Sequence, residues 1–128
     1  MPHQALFDKY IVPAIKEIFP NDTPSGCRSI LCAGYSYTEG SSDKEYFINV
    51  FRAQFSLGSR YFILTRWGRR SANLQHKIIV ATADNVSDET FKLVRTRMRH
   101  GYVQMFNQTS DISVIASSTS DVGSNEEI

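Results

Sequence analysis

Residues 45–67 read EYFINVFRAQFSLGSRYFILTRW, and the fold turns on how this stretch alternates. In an extended chain successive side chains point to opposite sides, so residues two apart share a face. Phe47, Phe51 and Phe55 then fall on one side, and Tyr46, Ile48 and Val50 on the other. The second half repeats the pattern: Tyr61, Ile63, Thr65 and Trp67 share one face, and Phe62, Leu64 and Arg66 share the other. Both runs are rich in β-branched and aromatic residues, which suit a pleated, half-buried surface. Leu57-Gly58-Ser59 supplies a tight turn between them, so the stretch reads as an antiparallel hairpin.

Further strands flank the hairpin. RSILCAGYSY (28–37) is short, apolar and aromatic, and the polar run TEGSSDKE (38–45) connects it to the hairpin. HKIIVAT (76–82) is a strong third strand on the other side. Near the N-terminus, ALFDKYIVPAIKEIF (5–19) carries apolar residues at helical spacing. Pro13 interrupts it, because proline lacks an amide donor and clashes with the preceding turn. A kinked helix and a pair of short helices both fit, and PNDTPSG (20–26) stops the element. SDETFKLVRTRMRHGY (87–102) is the clearest helix. Ser87 suits the N-cap, Asp88 and Glu89 suit the first turn, and Gly101 suits the C-terminal exit. Phe91, Val94 and Met98 form its expected buried stripe, with Lys92, Arg95 and Arg99 along the adjoining flank. From Asn107 onward only Ile112, Val114 and Ile115 offer packing groups, so this part reads as a mobile, polar tail.

The expected organisation is a helical segment over 1–24, a sheet-plus-helix unit over 25–106 and an acidic tail over 107–128. The fold class is α+β: an antiparallel β-sheet with a helix packed across it and an additional N-terminal helix. A chain of 128 residues fits one domain. Its hydrophobic share of 41 % is slightly low, but 8 Phe and 6 Tyr can still build a modest core.

The net charge of +1 is uninformative, whereas its distribution is not. Between residues 52 and 102 there are ten Lys and Arg against three acids, and beyond Asn107 there are four acids and no base. Segregation of this kind is what an electrostatic footprint requires. Two cysteines in a C-x4-C pair are too few for a disulfide scaffold or a four-ligand zinc site, so neither metal nor cofactor is expected. No run approaches the ~18 apolar residues of a membrane span. No basic n-region followed by an apolar run marks a signal peptide. The expectation is an intracellular protein without a membrane partner, nuclear if the cell is eukaryotic and otherwise cytoplasmic.

Chemistry concentrates at the end of the second hairpin strand. Arg66, Arg69 and Arg70 surround Trp67 and Gly68. Guanidinium forks match phosphate oxygens, and an indole face can stack on a base or sugar. The combination suits nucleic acid where stacking is interrupted, at an end or a break. The alternative is a core-edge Trp67 covered by an arginine through a cation–π contact. His76 and His100 can be imagined as an acid–base pair for phosphodiester cleavage. The chain nevertheless lacks a phosphate-binding Gly-rich loop, a nucleophile context and a carboxylate cluster for magnesium, so an enzyme is not expected.

Placed in order, these features resemble the WGR domain, a module named for its Trp-Gly-Arg triplet and known from DNA-dependent poly(ADP-ribose) polymerases. The triplet is Trp67, Gly68 and Arg69, preceded by RYFILTR. EYFINVF lies upstream, while Gln75, a strand, a helix containing Phe91 and the exit Gly101-Tyr102 follow. The resemblance covers residues 43–106. The family usually carries glycines soon after the triplet, where this chain has Arg70-Ser71-Ala72-Asn73-Leu74. The resemblance implies DNA-end binding, with Trp67 stacking on a terminal nucleotide and Arg69 touching the adjacent backbone. The expected nucleic-acid-binding set is therefore Trp67, Arg69, Arg66, Arg70, Gln75, Lys77, Arg95 and Arg99. A non-catalytic module for duplex DNA ends or breaks is the leading expectation. A protein–protein adaptor or regulatory subunit, docking a catalytic domain or subunit through the same face, is the alternative.

Overall fold

The computed structural model describes residues 2–70 and 72–116. A first helix, α1 (His3–Leu6), passes through one π-helical turn (Phe7–Ile11) into α2 (Val12–Ile18). Pro13 sits in the first turn of α2, where its missing N–H costs least. The wider π-turn just before it makes room for the ring, so the axis runs on instead of breaking. Strands β1 (Gly26–Glu39), β2 (Ser42–Phe55), β3 (Gly58–Arg69) and β4 (Gln75–Ala81) follow, then α3 (Val86–Arg99) and β5 (Val103–Val114). They form one antiparallel sheet in the order β4-β3-β2-β1-β5. Since β4 and β5 lie at opposite edges, the chain must cross a whole sheet face between them, and α3 makes that crossing.

The hairpin alternation sorts the two faces as expected. Phe51, Phe55, Phe62 and Leu64 join Leu6, Phe7, Ile11 and Ile15 in a core beneath the N-terminal helices. Tyr46, Ile48, Val50 and Ile63 face the other way, against Val86, Leu93 and Val94 of α3. The two layers differ in quality. The N-terminal helices bury five residues, whereas α3 buries none completely.

Three expectations need correction. The stretch 107–114, expected in a mobile tail, is most of strand β5 and pairs with β1 from Ser36↔Val103 to Cys27↔Val114. An edge strand needs only backbone partners along its length, so its Asn, Gln, Ser and Thr give little hydrophobic alternation to detect. Its end is pinned to α1: Ile115 N–H donates to the Gln4 amide oxygen at 2.8 Å, and the Gln4 amide donates back to Ile115 O at 2.9 Å. The part of the expected tail over 117–128 lies outside the described residues. Second, α3 starts after Asn85 and not Ser87; the Asn85 Oδ1 accepts from the Thr82 N–H at 2.9 Å and closes the turn from β4. Third, the inward stripe of α3 is Val86, Leu93 and Val94, while Phe91 and Met98 are 60 % and 51 % exposed.

Both cysteines are free. Cys27 is buried in the N-terminal core, and burial pushes its thiol from an ordinary value of 9.0 up to about 11. Below about pH 8 the thiol is almost wholly neutral in both folded and unfolded chains and affects little. As pH rises from 9 towards 11 the unfolded thiol ionises first, and stability falls. At pH 10 the expected loss is about 1 kcal/mol relative to pH 8. Urea melts at both pH values check it, with Cys27→Ala expected to lack this component. The half-buried Cys32 should be alkylated well before Cys27 in the folded protein.

Candidate nucleic-acid interface

At the C-terminal end of β3 the register sets Trp67 opposite Tyr46 of β2 and Gln75 of β4. Trp67 is half-buried, and its ring stacks on Tyr46 with centroids 6.3 Å apart and planes at 27°. Tyr102 meets Tyr46 edge-on at 6.3 Å, and Tyr37 of β1 lies 5.6 Å from Tyr102. Four rings thus span the α3 face of the sheet at one end.

Arg97 enters this cluster from α3. Its guanidinium is 4.6 Å from the Tyr46 ring and 5.5 Å from the Tyr102 ring. Its Nε is enclosed and has no hydrogen-bond acceptor among the described residues. The helix end fixes this geometry. Gly101, at φ 87°, lets the Tyr102 N–H donate to Arg97 O at 3.0 Å and its own N–H donate to Met98 O at 3.1 Å. This is the double bond of a Schellman cap, in which the residue two past the helix end returns to the last turn. The cap that ends the helix therefore also sets Tyr102 beside Arg97. Burial pushes the Tyr46 phenol up, and the Arg97 charge offsets only part of that.

Basic side chains surround the rings. Lys44 is 5.7 Å from the Tyr37 ring, and Arg69 pairs in register with Lys44. Lys77 lies opposite Thr65, on the same side as Trp67 by alternation. Lys44, Arg69, Lys77 and Arg97 make no ion pair among the described residues. Gln75 is exposed beside Trp67.

The expected site residues divide accordingly. Trp67, Arg69, Gln75 and Lys77 come together. Arg66 does not: it points to the opposite face, its guanidinium 4.9 Å from the Phe47 ring. Arg70 is occupied. Its Nε donates to both Asp43 oxygens at 2.9 and 3.0 Å, its Nη1 donates to Glu45 at 3.0 Å, and its backbone N–H donates to Asp43 O. These contacts tie the loop to β2, and the Asp43 hydrogen bond holds the guanidinium above its ordinary range. Arg95 and Arg99 are exposed on α3 without ion pairs among the described residues, Arg95 lying 5.2 Å from the ring of Phe91. Sequence reasoning missed Arg97, Tyr102 and Lys44. The alternation that sent Tyr46 to the Trp67 side carried Lys44 there too, and the glycine exit was the signal for Arg97.

Gly68 has φ 152°, and a Cβ there would meet Leu74 Cδ2 at 3.3 Å. Gly68→Ala is expected to cost about 1–3 kcal/mol, read as a lowered urea midpoint. His76 faces the N-terminal helices, with its ring 4.8 Å from Tyr10, while His100 caps α3 on the other side, so the two do not form a pair. Among the described residues no three His, Cys, Asp or Glu side chains converge on a point that would hold a metal. No helix among them is long and apolar enough to cross a membrane. Comparison with protein families, curated proteins and solved structures finds no match.

Proposed function

We propose that this chain is a non-catalytic nucleic-acid-binding module that takes duplex DNA ends or breaks on the α3 face. The observation that carries the reading is the grouping of Trp67, Tyr46, Tyr102 and Arg97, rimmed by Lys44, Arg69 and Lys77 with no carboxylate paired to them among the described residues. An aromatic platform with unpaired cations accepts a base or sugar face and the phosphate beside it. The element order supports the WGR-like reading: the triplet closes β3, and β4, a crossing helix and the Gly101-Tyr102 exit follow. Lys44 and Arg97 join Trp67, Arg69, Gln75 and Lys77 in the proposed set, and Arg66, Arg70, Arg95 and Arg99 leave it.

Duplex binding measured between 50 and 200 mM salt tests the reading. Four phosphate-contacting cations imply a log–log slope near −3.6, about a 100-fold loss across that range. Linear duplex should bind more tightly than closed circular DNA of the same sequence. Salt-insensitive or absent binding to every duplex overturns the proposal.

A second reading is an adaptor that docks through edge strand β5, a surface other than the Trp-Gly-Arg face expected from the sequence. Val103, Met105 and Ile112 of edge strand β5 are 66 %, 42 % and 44 % exposed. A strand edge with apolar flanks suits a partner that adds a strand. Loss of co-purifying partner in Met105→Lys, with DNA binding intact, would assign the two roles to separate surfaces.

A further inference from the structure

On the face opposite the rings, two polar groups are enclosed without partners. Asn49 is 1 % exposed, and neither its amide nitrogen nor its oxygen makes a hydrogen bond among the described residues. Arg66 is half-buried; its Nε is enclosed without an acceptor, and it forms no ion pair there. The register makes them neighbours. Asn49 pairs with Leu64 and Phe47 with Arg66, on consecutive same-face rows of β2 and β3, and Arg66 packs on Phe47.

Each group is costly as it stands. A buried amide without partners forfeits the hydrogen bonds it makes to water when unfolded, and a partly desolvated guanidinium without a counter-charge costs more. Desolvation pulls the Arg66 guanidinium below its ordinary range, and Tyr10, Cys32 and Glu45 offset only part of this. Glu45, the one carboxylate among those three, is already engaged by Arg70 at 3.0 Å. A leucine at 49 would fill similar volume at no such cost, so hydrophobic packing does not explain the asparagine. The surrounding groups are mostly donors: the guanidinium, the Asn49 amide, and the Tyr10 phenol beside the His76 imidazole at 4.8 Å.

We infer that Arg66 and Asn49 form an oxyanion site that receives a phosphate group, with Tyr10 and His76 at its rim. A phosphate presents several acceptor oxygens to this set and supplies the counter-charge that Arg66 lacks. Only the Nε of Arg66 is fully enclosed, so its terminal nitrogens reach the phosphate first. The guanidinium then moves off Phe47 and brings the anion to the Asn49 amide. The site lies across the sheet from the Trp67 platform, so its occupancy does not depend on the DNA-binding reading.

The Arg66 Nε–H and Asn49 amide resonances of the full chain test this, titrated with inorganic phosphate against chloride at constant ionic strength. Both should shift along one saturable curve. Arg66→Lys should weaken it at least ~10-fold, because lysine keeps the charge but loses the fork. Asn49→Leu should abolish saturation while raising the urea midpoint, the reverse of what a merely structural asparagine would do. A second arm uses 5′-phosphorylated duplex on Trp67→Ala, which weakens binding to the other face, and reads the same Arg66 and Asn49 resonances. Saturation by the duplex alone identifies the source as a strand phosphate, and saturation by inorganic phosphate alone identifies a free one. Linear drift in both arms, or unchanged saturation in Arg66→Lys, overturns the site.

Discussion

Phe51→Ala is expected to remove about 3–5 kcal/mol of stability, enough to leave the chain largely unfolded if its total is near the low end of the usual ~5–15 kcal/mol. Phe51 is fully buried in the middle of β2, and its ring lies 5.5 Å from Phe7 on the π-turn. It packs against the N-terminal helices, so its loss opens a cavity that neither layer can close. Leu93→Ala, on the inner side of α3, should cost only about 1–2 kcal/mol, because that side chain is only partly buried. The contrast follows from how each layer meets the sheet. The N-terminal helices bury Leu6, Phe7, Ile11, Ala14 and Ile15, whereas α3 stands off β1 and β2 across a cleft of about 400 Å³ bordered by Leu31, Val50 and Phe91. Urea melts of the two variants would measure the difference. Amide exchange of wild type should show α3 opening at lower free energy than β2 and β3. If Phe51→Ala costs less than about 1 kcal/mol, the N-terminal helices do not share the main core.

The parts legible in the sequence were those where a single period controls the outcome. Alternation over 45–67 set Phe62 and Leu64 apart from Ile63 and Trp67, because a two-residue repeat allows no third position. The helix over 86–99 was legible from its acids, bases and terminal glycine, each tied to a local backbone need. What remained hidden depended on distant partners. Asn107 to Ser113 look like tail residues until β1 supplies their backbone hydrogen bonds. Arg70 looks like a phosphate ligand until the register brings Asp43 and Glu45 to it. Arg97 looks like a solvated helix residue until the Schellman cap folds Tyr102 beside it. Charges are the hardest to read, because an arginine is free or satisfied according to a strand two turns away.

That distinction between free and satisfied arginines gives the second large effect its controls. Trp67→Ala should weaken linear-duplex binding by about 5- to 150-fold, the equivalent of one base stack at roughly 1–3 kcal/mol. Preference over closed circular DNA should vanish with it. The residual affinity should keep most of its salt dependence, because Lys44, Arg69, Lys77 and Arg97 remain. Trp67→Phe should recover part of the loss, since a smaller ring can still lie on Tyr46. Arg97→Met retains much of the packing between Tyr46 and Tyr102 but removes the charge, so it should lower affinity and reduce the salt slope by about one phosphate equivalent. Arg70→Met removes a charge of the same sign only a short way along the chain, yet should leave binding nearly unchanged and instead lower the thermal midpoint slightly. Its donors are already engaged by Asp43 and Glu45. If Arg70→Met weakens binding as much as Arg97→Met, attraction comes from local charge density alone. A Trp67→Ala protein that keeps its preference for ends would exclude the platform as the reader of breaks.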